Sequence, residues 1–218
     1  MFDILLFIPI LLVFLYSVII HECAHAVAAY KLGDPTAYSL GRITLNPIKH
    51  IDPVWTILMP LLTFFVPLLF GSSGFIFGGA KPVPINPYNF RNPDKGMMIS
   101  SLAGPLSNFS LAILGFIVFF LSVKILPLSG FFLDFNKSIF TWLIIINILL
   151  GIFNLIPIPP LDGSRVLRYL LPWHMKETLD RIEPFGIIIV IVFVTQGGTI
   201  FISKILNTIY WLLESIAR

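Results

Sequence analysis

Five stretches of this chain carry no charge over lengths that approach or reach a membrane span: Ile4–Ile20, Val54–Phe70, Gly96–Val123, Ser138–Leu161 and Phe185–Ser203. A span needs about 20 mostly apolar residues. The composition agrees, with 57% of the 218 residues apolar, 11% charged and a mean hydropathy of +0.94. A soluble domain of this size needs a far more polar surface. The reading is an all-α polytopic membrane protein in contact with the lipid bilayer. It has about four to five transmembrane helices, one re-entrant segment and a small membrane-associated β-hairpin region, forming a single domain over residues 1–218. A net charge of +3 is too small to argue for nucleic acid, and the lone Cys23 excludes an internal disulfide. No cleavable signal peptide is expected. The first apolar run starts at Phe2, lacks a basic flank and flows directly into His21.

The runs are not equivalent. Ile4–Ile20 continues as helix to Tyr30, and Gly96–Val123 is long enough to cross with tilt. Val54–Phe70 is short and holds Pro60 and Pro67, while Ser138–Leu161 ends in Pro157, Pro159 and Pro160, which regular helix does not accept. Gly197-Gly198 breaks the last run, so Thr199–Ala217 reads as a separate final helix, with one span plus an amphipathic tail as the alternative. Thr36–Pro47 places β-branched and aromatic residues around Gly41, a hairpin pattern. Gly71–Asp94, rich in Gly, Pro and Asn, reads as loop or short strands.

The chemistry begins where the first run ends. His21-Glu22-Cys23-Ala24-His25 is an H-E-x-x-H pattern. Residues four apart lie on nearly one helix face, so both imidazoles can converge on a single zinc, leaving Glu22 on the flank as a base. Alone the pattern is weak, but ionisable groups after 17 uncharged residues on a membrane helix are expensive and usually functional. A bland reading remains, a helix end whose His and Glu reach the headgroups. A catalytic zinc takes a third protein ligand. The candidate is Asp162, just past the Pro cluster and before Gly163. An interfacial Asp capping the helix from Ser164 onward fits the same segment.

HECAHAVAAYKLGDPTA, GRITLNPIKHIDPVWTILMP, GAKPVPINPYNFRNPDKG, LAGPLSNFSLA and NLIPIPPLDGSRVL together resemble the site-2 protease family of intramembrane zinc metalloproteases, in its compact prokaryotic branch without PDZ or CBS domains. The resemblance covers roughly Tyr16 to Leu170. It implies one catalytic Zn2+ held by His21, His25 and Asp162, Glu22 as the base, and Asn108 and Asn154 near the metal. An amide there can bind substrate backbone or a developing oxyanion, or simply join helices by hydrogen bonds.

Sidedness follows from parity. His21 and Asp162 each lie at the far end of a span, so sharing one metal requires those two helices to run in the same direction. One crossing between them, Gly96–Val123, achieves this, and a full crossing at Val54–Phe70 would undo it. Val54–Phe70 is therefore expected to be re-entrant. Lys31, Arg42, Lys49, Lys81, Arg91, Lys95, Arg165, Arg168, Lys176 and Arg181 then share one side against Lys124 and Lys137, ten to two; the full crossing would give seven to five. The positive-inside rule puts the ten in the cytoplasm, the N-terminus outside and the metal near the cytoplasmic face of a multi-pass cell-membrane protein.

The expected activity is hydrolysis of peptide bonds in or beside the transmembrane segments of a membrane-protein substrate. The Thr36–Pro47 segment would offer a strand edge to that substrate or close the cavity floor. A membrane metal transporter or sensor would share such ligands, but needs no Glu between the histidines and often has repeated halves, which are not found here. A non-catalytic homologue that binds transmembrane segments would not need Glu22. His50 is a further metal or substrate candidate, or a local hydrogen-bonding residue, whereas His174 sits among interfacial residues.

Overall fold

The computed structural model of the chain describes residues 2–53, 58, 79–125, 129–193, 196 and 198–217. Helix α1 (Phe2–Lys31) fuses the first apolar run to the H-E-x-x-H turn without interruption. It ends where Gly33 adopts φ +106° and Asp34 N–H reaches back 2.9 Å to the Ala29 carbonyl. A left-handed glycine of this kind is the common helix stop, because it has no Cβ to clash.

The next segment departs from the sequence expectation. Thr36–Pro47 is not a β-hairpin, and no strand occurs among the described residues. Thr36–Ser39 forms a single helical turn, α2, and Gly41 (φ +62°) turns the chain away from it. The reason is local. Asp34 accepts from the Thr36 N–H at 3.1 Å and from the Thr36 hydroxyl at 2.5 Å, which nucleates a turn in place of a ladder. Asp34 is fully buried and also accepts from Asn86 N and Asn89 Nδ2, both at 2.7 Å. Burial alone raises its pKa, but the donors from Thr36, Asn89 and Asn86 outweigh that and hold the carboxyl below its usual range.

Three Asn-Pro steps then begin three elements: 3-10 turns at Pro47–His50 and Pro87–Asn89, and the long helix α3 (Pro93–Lys124). In each, the Asn side chain accepts a backbone N–H that the first turn leaves unpaired, and proline fills the first position, where its missing N–H is not needed. Lys81 N donates to the His50 carbonyl at 2.8 Å, and Arg42 Nη2 donates to the Lys81 carbonyl at 2.7 Å. The chain thus reaches residue 53 and resumes at residue 79 at the same end of the bundle. The re-entrant segment expected at Val54–Phe70 lies outside the described residues, Leu58 apart.

Helix α4 (Gly130–Asn154) returns antiparallel to α3 and ends in the proline-rich turn. Short helices α5 (Asp162–Leu170) and α6 (Trp173–Ile182), a 3-10 turn at Glu183–Phe185, α7 (Gly186–Phe193) and α8 (Thr199–Ala217) follow. Helix α3 is central, packing against α4, α1 and α5. One apolar cluster, Phe119, Ile144, Ile145, Ile209 and Leu213, binds α3, α4 and α8. Outward-facing Ile8, Ile113, Leu114 and Ile117 leave apolar surface suited to lipid. Among the described residues, four helical stretches are long and apolar enough to cross a membrane: Ile8–Lys31, Pro93–Lys124, Gly130–Asn154 and Ile200–Ala217. At the other end, Asp94 of α3 pairs with Arg168 of α5 and Lys176 of α6, and Arg168 also pairs with Asp180 at 2.8 Å. This network clasps α5, and with it Asp162, onto the start of α3.

Candidate metal centre

Two helices bring three ligand atoms together. His21 and His25, one turn apart on α1, place their Nε2 atoms 2.9 Å from each other. Asp162 Oδ2, from the first residue of α5, lies 3.1 Å from His21 Nε2 and 3.3 Å from His25 Nε2. Both imidazoles are buried, while the Asp162 side chain keeps 18% exposure and leaves one edge of the site open. Among the described residues this is the one cluster of His, Cys, Asp and Glu side chains able to hold a metal. The cap position of α5 is held by Leu161, which has no side-chain acceptor, and Asp162 Oδ2 takes no hydrogen bond from the helix start.

The tautomers follow from the partners on the far side of each ring. His25 Nδ1 lies 2.7 Å from the Ser100 carbonyl, which only accepts, so Nδ1 carries the proton. His21 Nδ1 lies 2.5 Å from Asn108 Oδ1, so it too donates. Each Nε2 then presents a lone pair to the centre, where Asp162 Oδ2 is buried without a hydrogen-bond donor. Three electron-rich atoms at 2.9–3.3 Å repel one another unless a proton or a cation lies among them. Tetrahedral zinc with ligands at about 2.0–2.1 Å holds ligand atoms roughly 3.3 Å apart, so this donor set fits the ion.

Two glycines make the approach possible. A Cβ on Gly104 of α3 would strike the His25 ring and come within 2.7 Å of His21 Cε1. A Cβ on Gly163 would strike the Leu155 backbone and come within 2.6 Å of the Ile156 carbonyl oxygen, in the turn that carries Asp162 inward. Beside the cluster, Glu22 Oε2 accepts the Val83 N–H at 2.8 Å, so the extended Lys81–Val83 segment holds this carboxylate.

The two asparagines fare differently. Asn108 is fully buried, with its oxygen on His21 and its amide Nδ2 donating to Asn147 Oδ1 at 2.8 Å. Asn154 is the last residue of α4, and its Nδ2 folds back onto the Leu150 carbonyl at 2.9 Å. His50 is buried outside the cluster. Its Nε2 lies 2.8 Å from the Thr44 carbonyl, which also accepts from Cys23 Sγ at 3.0 Å, so it latches the loop to α1. The sequence reading missed Ser17, Ser100, Gly104 and Asn147. For Ser17, Ser100 and Gly104 the signal was a four-residue spacing of small and polar residues: Ser17, His21 and His25 on α1, and Ser100, Gly104 and Asn108 on α3.

A polytopic helical bundle with two imidazoles and a carboxylate converging beside a glutamate defines the class of membrane-embedded metalloproteases. The sequence profile of peptidase family M50 matches residues 133–196. YwhC of Bacillus subtilis, provisionally named as a zinc metalloprotease, is 39% identical over 194 residues, spanning 88% of this chain and 82% of its own. Rip2 of Mycolicibacterium smegmatis, named in the same way, is 29% identical over 95% of this chain and 74% of its own. MJ0611 of Methanocaldococcus jannaschii, again so named, is 32% identical over 77% and 73%. No solved structure matches at comparable significance. The chain belongs to peptidase family M50, the site-2 proteases, and is a zinc-dependent membrane metalloendopeptidase.

Gly104→Ala should weaken zinc binding without removing a donor atom. Overpacking against the imidazoles costs on the order of 1–3 kcal/mol, roughly a tenfold to hundredfold loss of affinity. Zinc content after dialysis against a chelator series measures this, and wild-type retention would contradict the close approach.

Proposed function

We propose that the chain hydrolyses peptide bonds in or beside transmembrane segments of membrane-protein substrates, with zinc held by His21, His25 and Asp162 and with Glu22 as general base. The observation that carries this reading is the convergence of three ligand atoms, from His21, His25 and Asp162, beside a carboxylate anchored through one oxygen. When bound, zinc supplies Lewis acidity, which makes water nucleophilic near neutral pH and stabilises negative charge on a carbonyl oxygen. Glu22 takes one proton from the attacking water. The water oxygen bonds to the peptide carbon, the C–N bond breaks, and Glu22 returns the proton to the departing amine. The Val83 N–H keeps the Glu22 carboxylate aimed for that role. A helical substrate hides its carbonyls in its own hydrogen bonds, so it must unwind locally before attack. Asn108 is assigned to orienting His21, since both ends of its amide are engaged inside the protein. Asn154, at the lip of the proline turn, is assigned to substrate contact.

The cytoplasmic placement of the site draws support from two directions. Lys81 bonds to His50, so the chain enters and leaves residues 54–78 at one end of the bundle, as a re-entrant segment requires. At that same end stand Lys95, Arg165, Arg168 and Lys176, cations of the cytoplasmic set under the positive-inside rule. The N-terminus is then outside.

Glu22→Gln should retain zinc and lose at least roughly 100-fold in cleavage of single-span substrates in detergent, because the amide keeps the size but cannot accept the proton. Normal cleavage by the variant would remove Glu22 from the mechanism. For topology, single cysteines near Lys49, Arg91 and Asp134 in a Cys23→Ser background can be labelled with an impermeant thiol reagent in intact cells. Only the Asp134 site should react, and labelling near Arg91 would reverse the sidedness.

A further inference from the structure

We infer that Asn147 and Ser17 are positioning residues that fix the amide orientation of Asn108, and through it the tautomer of His21. The inference rests on the metal-centre reading above. Neither residue reaches the ligand cluster, and both act through Asn108. Ser17, Asn108 and Asn147 come from α1, α3 and α4, and at most 1% of each is exposed.

The chain of bonds among them has a direction. Ser17 donates its hydroxyl proton to the Val13 carbonyl at 2.7 Å, so its oxygen offers a lone pair to the bundle interior. Asn147 Nδ2 donates to that oxygen at 2.8 Å and to the Leu143 carbonyl at 2.9 Å. The Leu143 carbonyl can only accept, which forces the nitrogen end of Asn147 toward it and the oxygen end toward α3. Asn147 Oδ1 then accepts from Asn108 Nδ2 at 2.8 Å, and the same nitrogen faces the Ser17 carbonyl at 3.4 Å. Two acceptors therefore hold the Asn108 nitrogen, and its oxygen has to face His21 Nδ1 at 2.5 Å.

Reversing the Asn108 amide would set its oxygen against Asn147 Oδ1 and the Ser17 carbonyl, two like partners in a buried site, where an unmet polar group costs about 1–3 kcal/mol. It would also turn an N–H toward His21 Nδ1. The ring would then keep its proton on Nε2, the atom that faces His25 and Asp162, and the metal position would be blocked. Asn147 and Ser17 remove this alternative. Hydrogen-bonding partners behind a ligating histidine typically alter metal affinity by roughly 10–100-fold.

The test compares purified full-length wild type, Asn147→Leu, Ser17→Ala and Ser122→Ala in detergent. Ser122 is a buried serine of α3 whose hydroxyl bonds to its own helix at Val118, away from this chain of bonds. Zinc affinity is measured by competition with a chromophoric chelator, and the visible absorption of the cobalt-substituted proteins reports ligand geometry. Thermal unfolding with chelator present reports stability without metal. Asn147→Leu should lose roughly 10–100-fold in zinc affinity and alter the cobalt spectrum. Ser17→Ala should do the same to a smaller degree, and Ser122→Ala should do neither. Ser17→Ala deletes a single oxygen and keeps the test decisive if Asn147→Leu does not fold. Affinity within about twofold of wild type in a folded Asn147→Leu or Ser17→Ala protein overturns the inference, as does an equal affinity loss in Ser122→Ala. Failure of the wild type itself to bind zinc would instead sink the metal-centre reading.

Discussion

On the proposed ligand set, the architecture centres on an electrostatic conflict that a cation would resolve. His21, His25 and Asp162 direct lone pairs at a common point inside a bundle of membrane helices, where the dielectric is low and such repulsion is strong. Each is held in that pose from behind: His25 by the Ser100 carbonyl, His21 by Asn108, and Asp162 by the rigid turn and the ion pairs that clasp α5 to α3. Without a cation the three groups would have to rotate, protonate or separate.

The rest of the bundle can be understood as what this requirement imposes. Imidazoles reach a neighbouring helix backbone only where that helix carries no side chain, which places Gly104 beside both rings. Buried polar groups in a membrane must satisfy one another, because neither lipid nor water will. The three-helix contact is accordingly a continuous hydrogen-bonded path from Val13 and Leu143 to His21 rather than an apolar seam. The apolar packing is displaced to the other half of the bundle, around Phe119, Ile144 and Leu213. Glu22, outside the ligand set, is held by the Lys81–Val83 segment, which is itself fastened to His50 and Arg42.

The sequence was most legible where a single short-range rule dominates. Helical period brings His21 and His25 to one face, and α1 bears this out directly. Gly197-Gly198 was read as a break between two helices; α7 ends at Phe193 and α8 begins at Thr199, and Gly197 itself lies outside the described residues. The helices extend past the uncharged runs, α3 to Pro93 and α4 to Gly130, because a helix does not stop at the edge of its apolar stretch. Asp162 was ambiguous from its own segment, since a carboxylate at a helix start is as good a cap as a ligand; its partners lie 137 and 141 residues away in sequence. The Thr36–Pro47 hairpin failed for a similar reason. The β-branched pattern was real, but Asp34 lies outside that segment, and its bonds to Thr36, Asn86 and Asn89 decide the local backbone. Asn147 escaped notice because one uncharged polar residue in a long apolar run has no pattern until its neighbours on α1 and α3 are known.

The most direct test of the account is X-ray absorption at the zinc edge on the purified, zinc-loaded protein. The account predicts one zinc per chain with a first shell of nitrogen and oxygen at about 2.0–2.1 Å, including outer-shell scattering from two imidazoles, and no sulfur at about 2.3 Å. A sulfur in that shell would bring in Cys23, and scattering from a third imidazole would bring in His50 or His174. Either result would contradict the assignment of His21, His25 and Asp162 as the protein ligands.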